Sequence, residues 1–278
     1  MQNSVVNKLA DAHSQINTEK AEARHSTAEI EALCDKLRLP SFKKYYLENH
    51  QRAEFISLAQ DDRIYHLLHA EVLGRKSKRY LRLRREAELP GLICAQELES
   101  RLSDLHMTRD AFDMLLSGTW CAESAVLLTG KARTGKTDFT CGLLDGLAYA
   151  GIKVRYYSYS MLMMLLSALY VSGKAEAYAM QLEQIGKARV IALDDLGVAS
   201  QRPNEAGCMK DLLDLSINRG MGVIIASQMP PEQWYAYYGG GKTADAVMDR
   251  ILRHPLQVKF NGDSKRSHGV QVIGGVDE

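Results

Sequence analysis

The 278-residue chain is 46% hydrophobic and nearly neutral, with 35 Lys+Arg against 34 Asp+Glu. That apolar content with so little net charge excludes wholesale disorder, and 21 Gly with 6 Pro in no repeating pattern exclude collagen-like sequence. The most apolar stretch, Met161 to Val171, runs only eleven residues, whereas a bilayer crossing needs about 20, so no membrane partner is expected.

The first fifteen residues mix Asn, Asp, His and Lys without an apolar segment, so a cytoplasmic chain without a secretory leader is expected. Residues 1 to about 28 read as a loose helix or a frayed end. Beyond them, Ile30, Leu33 and Leu37, then Ile64, Leu67, Leu68 and Val72, recur at helical spacing, which predicts a small all-α N-terminal domain with these residues as its apolar faces. Arg75, Lys76, Lys78, Arg79, Arg82, Arg84 and Arg85 follow, seven cations in eleven residues with no carboxylate among them. Such a run is either a solvated helix face or a surface that neutralises phosphates of duplex DNA without reading bases. Leu89-Pro90-Gly91 then breaks the helical pattern, which places the domain boundary between residues 1–89 and 90–278.

From Ser124 onward, short aliphatic runs alternate with helical stretches. Ala125–Leu128, Lys153–Tyr157, Val190–Leu193, Val223–Ala226 and Leu256–Phe260 predict five strands. Near-continuous apolar strands alternating with helices imply a five-stranded parallel sheet covered on both faces. The five cysteines form no C-x-x-C pair and read as reduced packing residues. Met161, Met163 and Met164 read as core filler. The histidines show no zinc-ligand spacing.

After the first strand comes Gly130-Lys131-Ala132-Arg133-Thr134-Gly135-Lys136-Thr137, which matches G-x-x-x-x-G-K-[ST] between a predicted strand and a predicted helix. Chance would produce the four fixed positions in a chain of this length on the order of 1% of the time. The glycines let backbone N–H groups curl around phosphates, Lys136 supplies a charge to the β/γ-phosphates of ATP, and the Thr137 hydroxyl reaches Mg²⁺. A Gly-rich turn that binds nothing is the bland alternative. The third strand ends in Asp194-Asp195, at the sheet edge where α/β ligands bind. Asp194 is expected to hold Mg²⁺ through water and Asp195 to polarise the attacking water, although Asp-Asp after a strand also serves as a turn or helix cap. The fourth strand ends in Ser227-Gln228, which reads either as a γ-phosphate sensor, Gln228 or Ser227, or as a polar junction before Pro230.

Taken with Leu193-Asp194-Asp195-Leu196-Gly197, Ala226-Ser227-Gln228 before Pro230 and Trp234, Met248-Asp249-Arg250-Ile251 and Gly262-Asp263-Ser264-Lys265-Arg266, the chain resembles the IstB/DnaC group of AAA+ ATPases over roughly Leu33 to Arg266. The Ser-Gln tip, Trp234 and the Gly-Asp-Ser-x-Arg ending resemble IstB, the insertion-sequence transposition helper, more than DnaC, the helicase loader. The resemblance implies an ATP-hydrolysing homo-oligomer that assembles on duplex DNA and presents it to a transposase. A helicase loader is the alternative within the group, and a P-loop small-molecule kinase the alternative outside it. The resemblance further implies that Arg250 is an arginine finger reaching a neighbouring subunit's nucleotide, against the simpler reading of an Asp249–Arg250 surface pair, and that Arg266 is a second phosphate sensor. Arg219 reads as a helix C-terminal cap. Two departures stand out: Lys131-Ala132-Arg133 replaces the group's Pro/Gly-rich loop start, and Asp138 its common His. An acid in the first helical turn suits the helix dipole, so nucleotide binding is expected to survive.

Overall fold

The computed structural model describes residues 25–91, 93–100, 102, 105, 107–261 and 269–273. Two expectations fall outside them: the first 24 residues and the Arg266 sensor. The chain divides into two compact units, residues 1–75 and 76–278, and the division falls inside one long helix rather than at Pro90. Among the described residues no helix is long and apolar enough to cross a membrane.

The N-terminal unit is helical as expected. It contains α1 (Thr27–Lys36), α2 (Pro40–Asn49), α3 (Ala53–Ile56) and the first half of α4 (Gln60–Ala87). Ser26 and Glu29 form a reciprocal capping box that starts α1. Leu39 precedes α2 and offers no side-chain cap, so the buried Glu71 of α4 supplies one, accepting the N–H groups of Ser41 at 2.8 Å and Phe42 at 3.1 Å. Burial disfavours the Glu71 carboxylate, but the Arg75 guanidinium and these two N–H groups outweigh it and hold the carboxyl below its ordinary range. The predicted apolar faces do not become core: Leu33, Leu37, Ile64, Leu68 and Val72 are all exposed. The face of α4 turned to α2 runs instead through Glu71 and Gly74, beside that apolar stripe.

The larger unit is built on β1 (Ala125–Gly130), β2 (Val154–Ser158), β3 (Val190–Leu196), β4 (Gly222–Ser227), β5 (Leu256–Asn261) and β6 (Gly269–Ile273). They form one sheet in the order β2-β3-β4-β1-β5-β6. The five predicted strands are parallel, and β6, which the sequence reading did not anticipate, adds an antiparallel strand beside β5. Helices α5 (Ala95–Ser100), α6 (Arg109–Ser117), α7 (Lys136–Tyr149), α8 (Tyr159–Val171), α9 (Ala175–Ile185), α10 (Glu205–Arg219), α11 (Trp234–Tyr237) and α12 (Gly241–Ile251) accompany it.

Strand side chains alternate between two separate cores. Val126, Leu128, Val190, Ala192, Ile224 and Ala226 join one, and Leu127, Ile191, Leu193, Val223 and Ile225 the other. Both faces are covered, which is why the strands read as unbroken apolar runs. The five cysteines are unpaired and four are buried, and burial pushes the Cys121 and Cys141 thiols up to about 11. Of the three methionines read as core, only Met163 is buried; Met161 and Met164 lie on the outer side of α8. Arg219 does not cap α10. It pairs with Glu183, and Arg189 donates to the carbonyl of Gly220 instead.

The second half of α4 explains much of the cationic run. Arg79 donates to the Gly151 carbonyl at 2.7 Å, just beyond the C-terminus of α7, and Lys76 lies 4.2 Å from the centre of the Tyr149 ring. Cations are favoured at that negative end of a helix. Asp145 of α7 is almost fully buried and accepts Tyr80 Oη at 2.7 Å, Arg84 Nε at 2.9 Å and the Ala95 N–H at 3.3 Å. Among the described residues, Lys78 and Arg85 are exposed cations of the run with no partner. Because Asp145→Ala removes the buried carboxylate that Arg84, Tyr80 and the Ala95 N–H share, it is expected to cost about 3–5 kcal/mol, read as a lower urea midpoint at unchanged slope.

Candidate nucleotide site

The strand order puts β4 between β1 and β3, so the ends of three strands converge on the N-terminus of α7. Between β1 and α7 the loop leaves the sheet at Gly130, whose φ of +155° brings its Cα against β5. A side chain there would meet the Phe260 carbonyl oxygen at 2.5 Å. Gly135 precedes α7 at φ +91°, a left-handed conformation open to glycine at little cost. Arg133 is also left-handed, at φ +62°. Thr134 is buried and its hydroxyl donates to the Lys131 carbonyl at 2.9 Å, closing the loop on itself.

Lys136 folds back under this loop. Its ammonium donates to the carbonyls of Gly130 and Lys131, both at 2.7 Å. Burial pushes its pKa down, opposed by the carboxylates of Asp194 and Asp195. Thr137, one residue on, donates its hydroxyl to Asp194 Oδ2 at 2.7 Å. The sequence reading had both residues meeting Mg²⁺, and the fold brings them together.

The ladder between β3 and β4 slips in register between Leu193 and Leu196. Asp194 and Asp195 sit at that irregularity, and such breaks re-aim side chains. Asp194 points inward and is 1% exposed; Asp195, at φ +64°, turns outward into the pocket. Burial and the neighbouring Asp194 push the Asp195 carboxyl above its ordinary value, while Lys136 and Gln228 oppose them. Asp195 therefore holds a proton more readily than a solvated aspartate. Arg133, Gly135, Lys136, Thr137, Asp138, Asp195 and Gln228 line one open cleft. Gly130, Lys131, Ala132 and Thr134 shape the loop behind it.

Two expected residues stand elsewhere. Ser227 is fully buried; its hydroxyl donates to the Leu196 carbonyl at 2.8 Å and accepts the Met229 N–H at 3.0 Å, so it ties the β3 and β4 tips together, while Gln228 lines the cleft. Arg250 does not line its own chain's cleft. Its Nε donates to Asp214 of α10 and its Nη1 to the Ala246 carbonyl at 2.7 Å, in a separate hollow shared with Cys121, Glu123 and Arg253. Asp249 pairs with Arg253 rather than with Arg250. The sequence reading missed Tyr156 on β2, whose hydroxyl donates to Asp194 Oδ2 at 2.8 Å. It also missed the fully buried Glu205 at the start of α10, which accepts the hydroxyls of Tyr159 and Tyr237.

The donor set fits Mg²⁺. A hydroxyl and a carboxylate meet at the mouth of a phosphate loop, and Mg²⁺ binds hard oxygens through one or two carboxylates, water and substrate phosphates.

Residues 32–271 match the family described as IstB-like ATP binding protein. The chain is 31% identical over 178 residues to the insertion sequence IS1162 ATP-binding protein of Pseudomonas fluorescens, covering 63% of this chain and 74% of that one. It is 25% identical over 223 residues to the insertion sequence ATP-binding protein y4pL of Sinorhizobium fredii, covering 77% and 88%. Among solved structures, the DnaC helicase loader superposes with a TM-score of 0.45 at 16% identity, over 66% of this chain and 98% of that chain.

Lys136→Ala removes the cation aimed at the phosphates, and ATP affinity is expected to fall about 10- to 100-fold. Asp195→Asn keeps the loop and its lysine and is expected to bind ATP as the wild type does. Titration calorimetry with a non-hydrolysable analogue separates the two, and equal loss in both would contradict these roles.

Proposed function

Because the chain belongs to the IstB-like ATP-binding protein family, we propose that it hydrolyses ATP and uses the cycle to assemble on duplex DNA and present it to a transposase. The observation that carries this reading is the convergence of Lys136, Thr137, Asp194, Asp195 and Gln228 at one cleft. Lys136 leaves its loop carbonyls for the β- and γ-phosphates, and Thr137 and Asp194 hold Mg²⁺, which supplies charge neutralisation on the phosphates when bound. Asp195 accepts a proton from the attacking water, and the amide of Gln228 orients that water or the γ-phosphate. Insertion-sequence relatives favour a transposase over a replicative helicase as the partner. The central experiment is ATP turnover with and without duplex DNA, together with sizing. Absence of turnover in both conditions would sink the reading.

Hydrolysis on this reading needs two chains. Arg250 stands outside its own cleft, held at Nε and Nη1, so it acts as a finger on the nucleotide of the next subunit. Arg250→Ala is expected to bind ATP normally yet lose most DNA-stimulated turnover, a loss of about 10³-fold or more. Mixing it with Lys136→Ala should restore turnover above the sum of the two, since one supplies an intact site and the other an intact finger. Co-assembly without recovery would place the finger role elsewhere.

DNA contact on this reading falls to the cations of α4 that the larger unit leaves exposed. Lys78 and Arg85, with Arg82 loosely paired to Glu86 at 4.0 Å, remain able to meet phosphates, whereas Arg79 and Arg84 are committed to α7. The double variant Lys78→Ala, Arg85→Ala should bind every duplex more weakly and reduce the log–log salt slope by about 2. An unchanged slope in filter-binding titrations would return the run to a solvated face.

A further inference from the structure

One polar group at the cleft has no part in the reaction as set out above. Asp194 accepts three donors from three different places: Thr137 on α7 and Tyr156 on β2 share its Oδ2, and the N–H of Asp195 reaches its Oδ1 at 3.0 Å. Thr137 must also turn a lone pair to the metal, and the Asp195 N–H sits on the left-handed residue that aims the neighbouring carboxylate. Tyr156 is the partner with no other task at the cleft. Its ring packs against the core under the sheet, so its hydroxyl is delivered from a rigid strand, beside Ala192 in the β2–β3 register.

We propose that Tyr156 is a positioning residue, its hydroxyl fixing the Asp194 carboxylate in the orientation in which it would help hold Mg²⁺. The proposal rests on the reading of Asp194 as a metal-holding residue. Groups that orient a metal-binding carboxylate from behind typically contribute about 10- to 100-fold to metal affinity. Tyr156→Phe deletes one oxygen, keeps the packed ring, and leaves Lys136 and the loop glycines in place to bind the nucleotide's phosphates.

The test is binding of a fluorescent, non-hydrolysable ATP analogue to the full chain, first in EDTA and then titrated with MgCl₂. For Tyr156→Phe the half-saturating Mg²⁺ concentration should rise about tenfold while affinity in EDTA stays at the wild-type value. A Mg²⁺ curve that overlays the wild type would overturn the proposal. So would an equal loss of affinity with and without Mg²⁺, because that marks Tyr156 as mere support for the pocket. Asp194→Asn run in parallel separates the premise from the inference. If it leaves the Mg²⁺ dependence unchanged, the metal-site reading itself fails, and the Tyr156 role falls with it.

Discussion

The hydrogen bond from Thr137 to Asp194 is the point at which the fold becomes a nucleotide site. It ties the first turn of α7 to the tip of β3, two segments 57 residues apart in sequence. It can form because β4 is inserted between β1 and β3, which sets the phosphate loop and the acidic strand end about two strand spacings apart, roughly 10 Å, a gap that two side chains close. Every other element of the site hangs on that order. Ser227 fastens the intervening strand tip to β3, Gln228 then projects beside Asp195, and the slip in the β3 ladder sends one aspartate inward and its neighbour outward. A different strand order with the same motifs would scatter them.

The cationic run of α4 shows how a single sequence feature can divide between two physical tasks. Seven charges with no acid among them look like one electrostatic patch, yet the helix presents them around its whole circumference. Those facing α7 meet a helix C-terminus and the buried Asp145, where positive charge is stabilising. Those facing away keep their hydration. The docked half of α4 is therefore part of the larger unit even though it precedes the Pro90 break, and that compact unit begins at Lys76 rather than beyond the proline.

The parallel sheet, the phosphate loop and the paired aspartates were legible because each leaves a local signature: unbroken aliphatic runs, fixed glycine spacing, and acids at a strand end. What stayed hidden depends on tertiary neighbours. Tyr156 looks like an ordinary strand aromatic, and only the β2–β3 pairing brings its hydroxyl to Asp194. Glu205 reads as a surface acid opening a helix, yet it is buried beneath two tyrosine hydroxyls contributed by α8 and α11. Ser227 could be read as a sensor or as a polar junction, and only the tertiary pairing shows its hydroxyl bonded to the Leu196 carbonyl. The helical spacing of Ile64, Leu68 and Val72 identified a helix correctly and its buried face incorrectly. Periodicity reports amphipathicity, and the close contact at Glu71 and Gly74 lies beside that stripe.

The lysine of the phosphate loop carries a consequence for how a nucleotide would be captured. The buried Lys136 ammonium is satisfied by the two carbonyls at the head of its own loop. Occupancy then becomes an exchange of partners, carbonyl for phosphate, whose net free energy is a small difference between two good arrangements. Whatever a phosphate gains from this lysine is offset in part by the two carbonyl bonds it gives up.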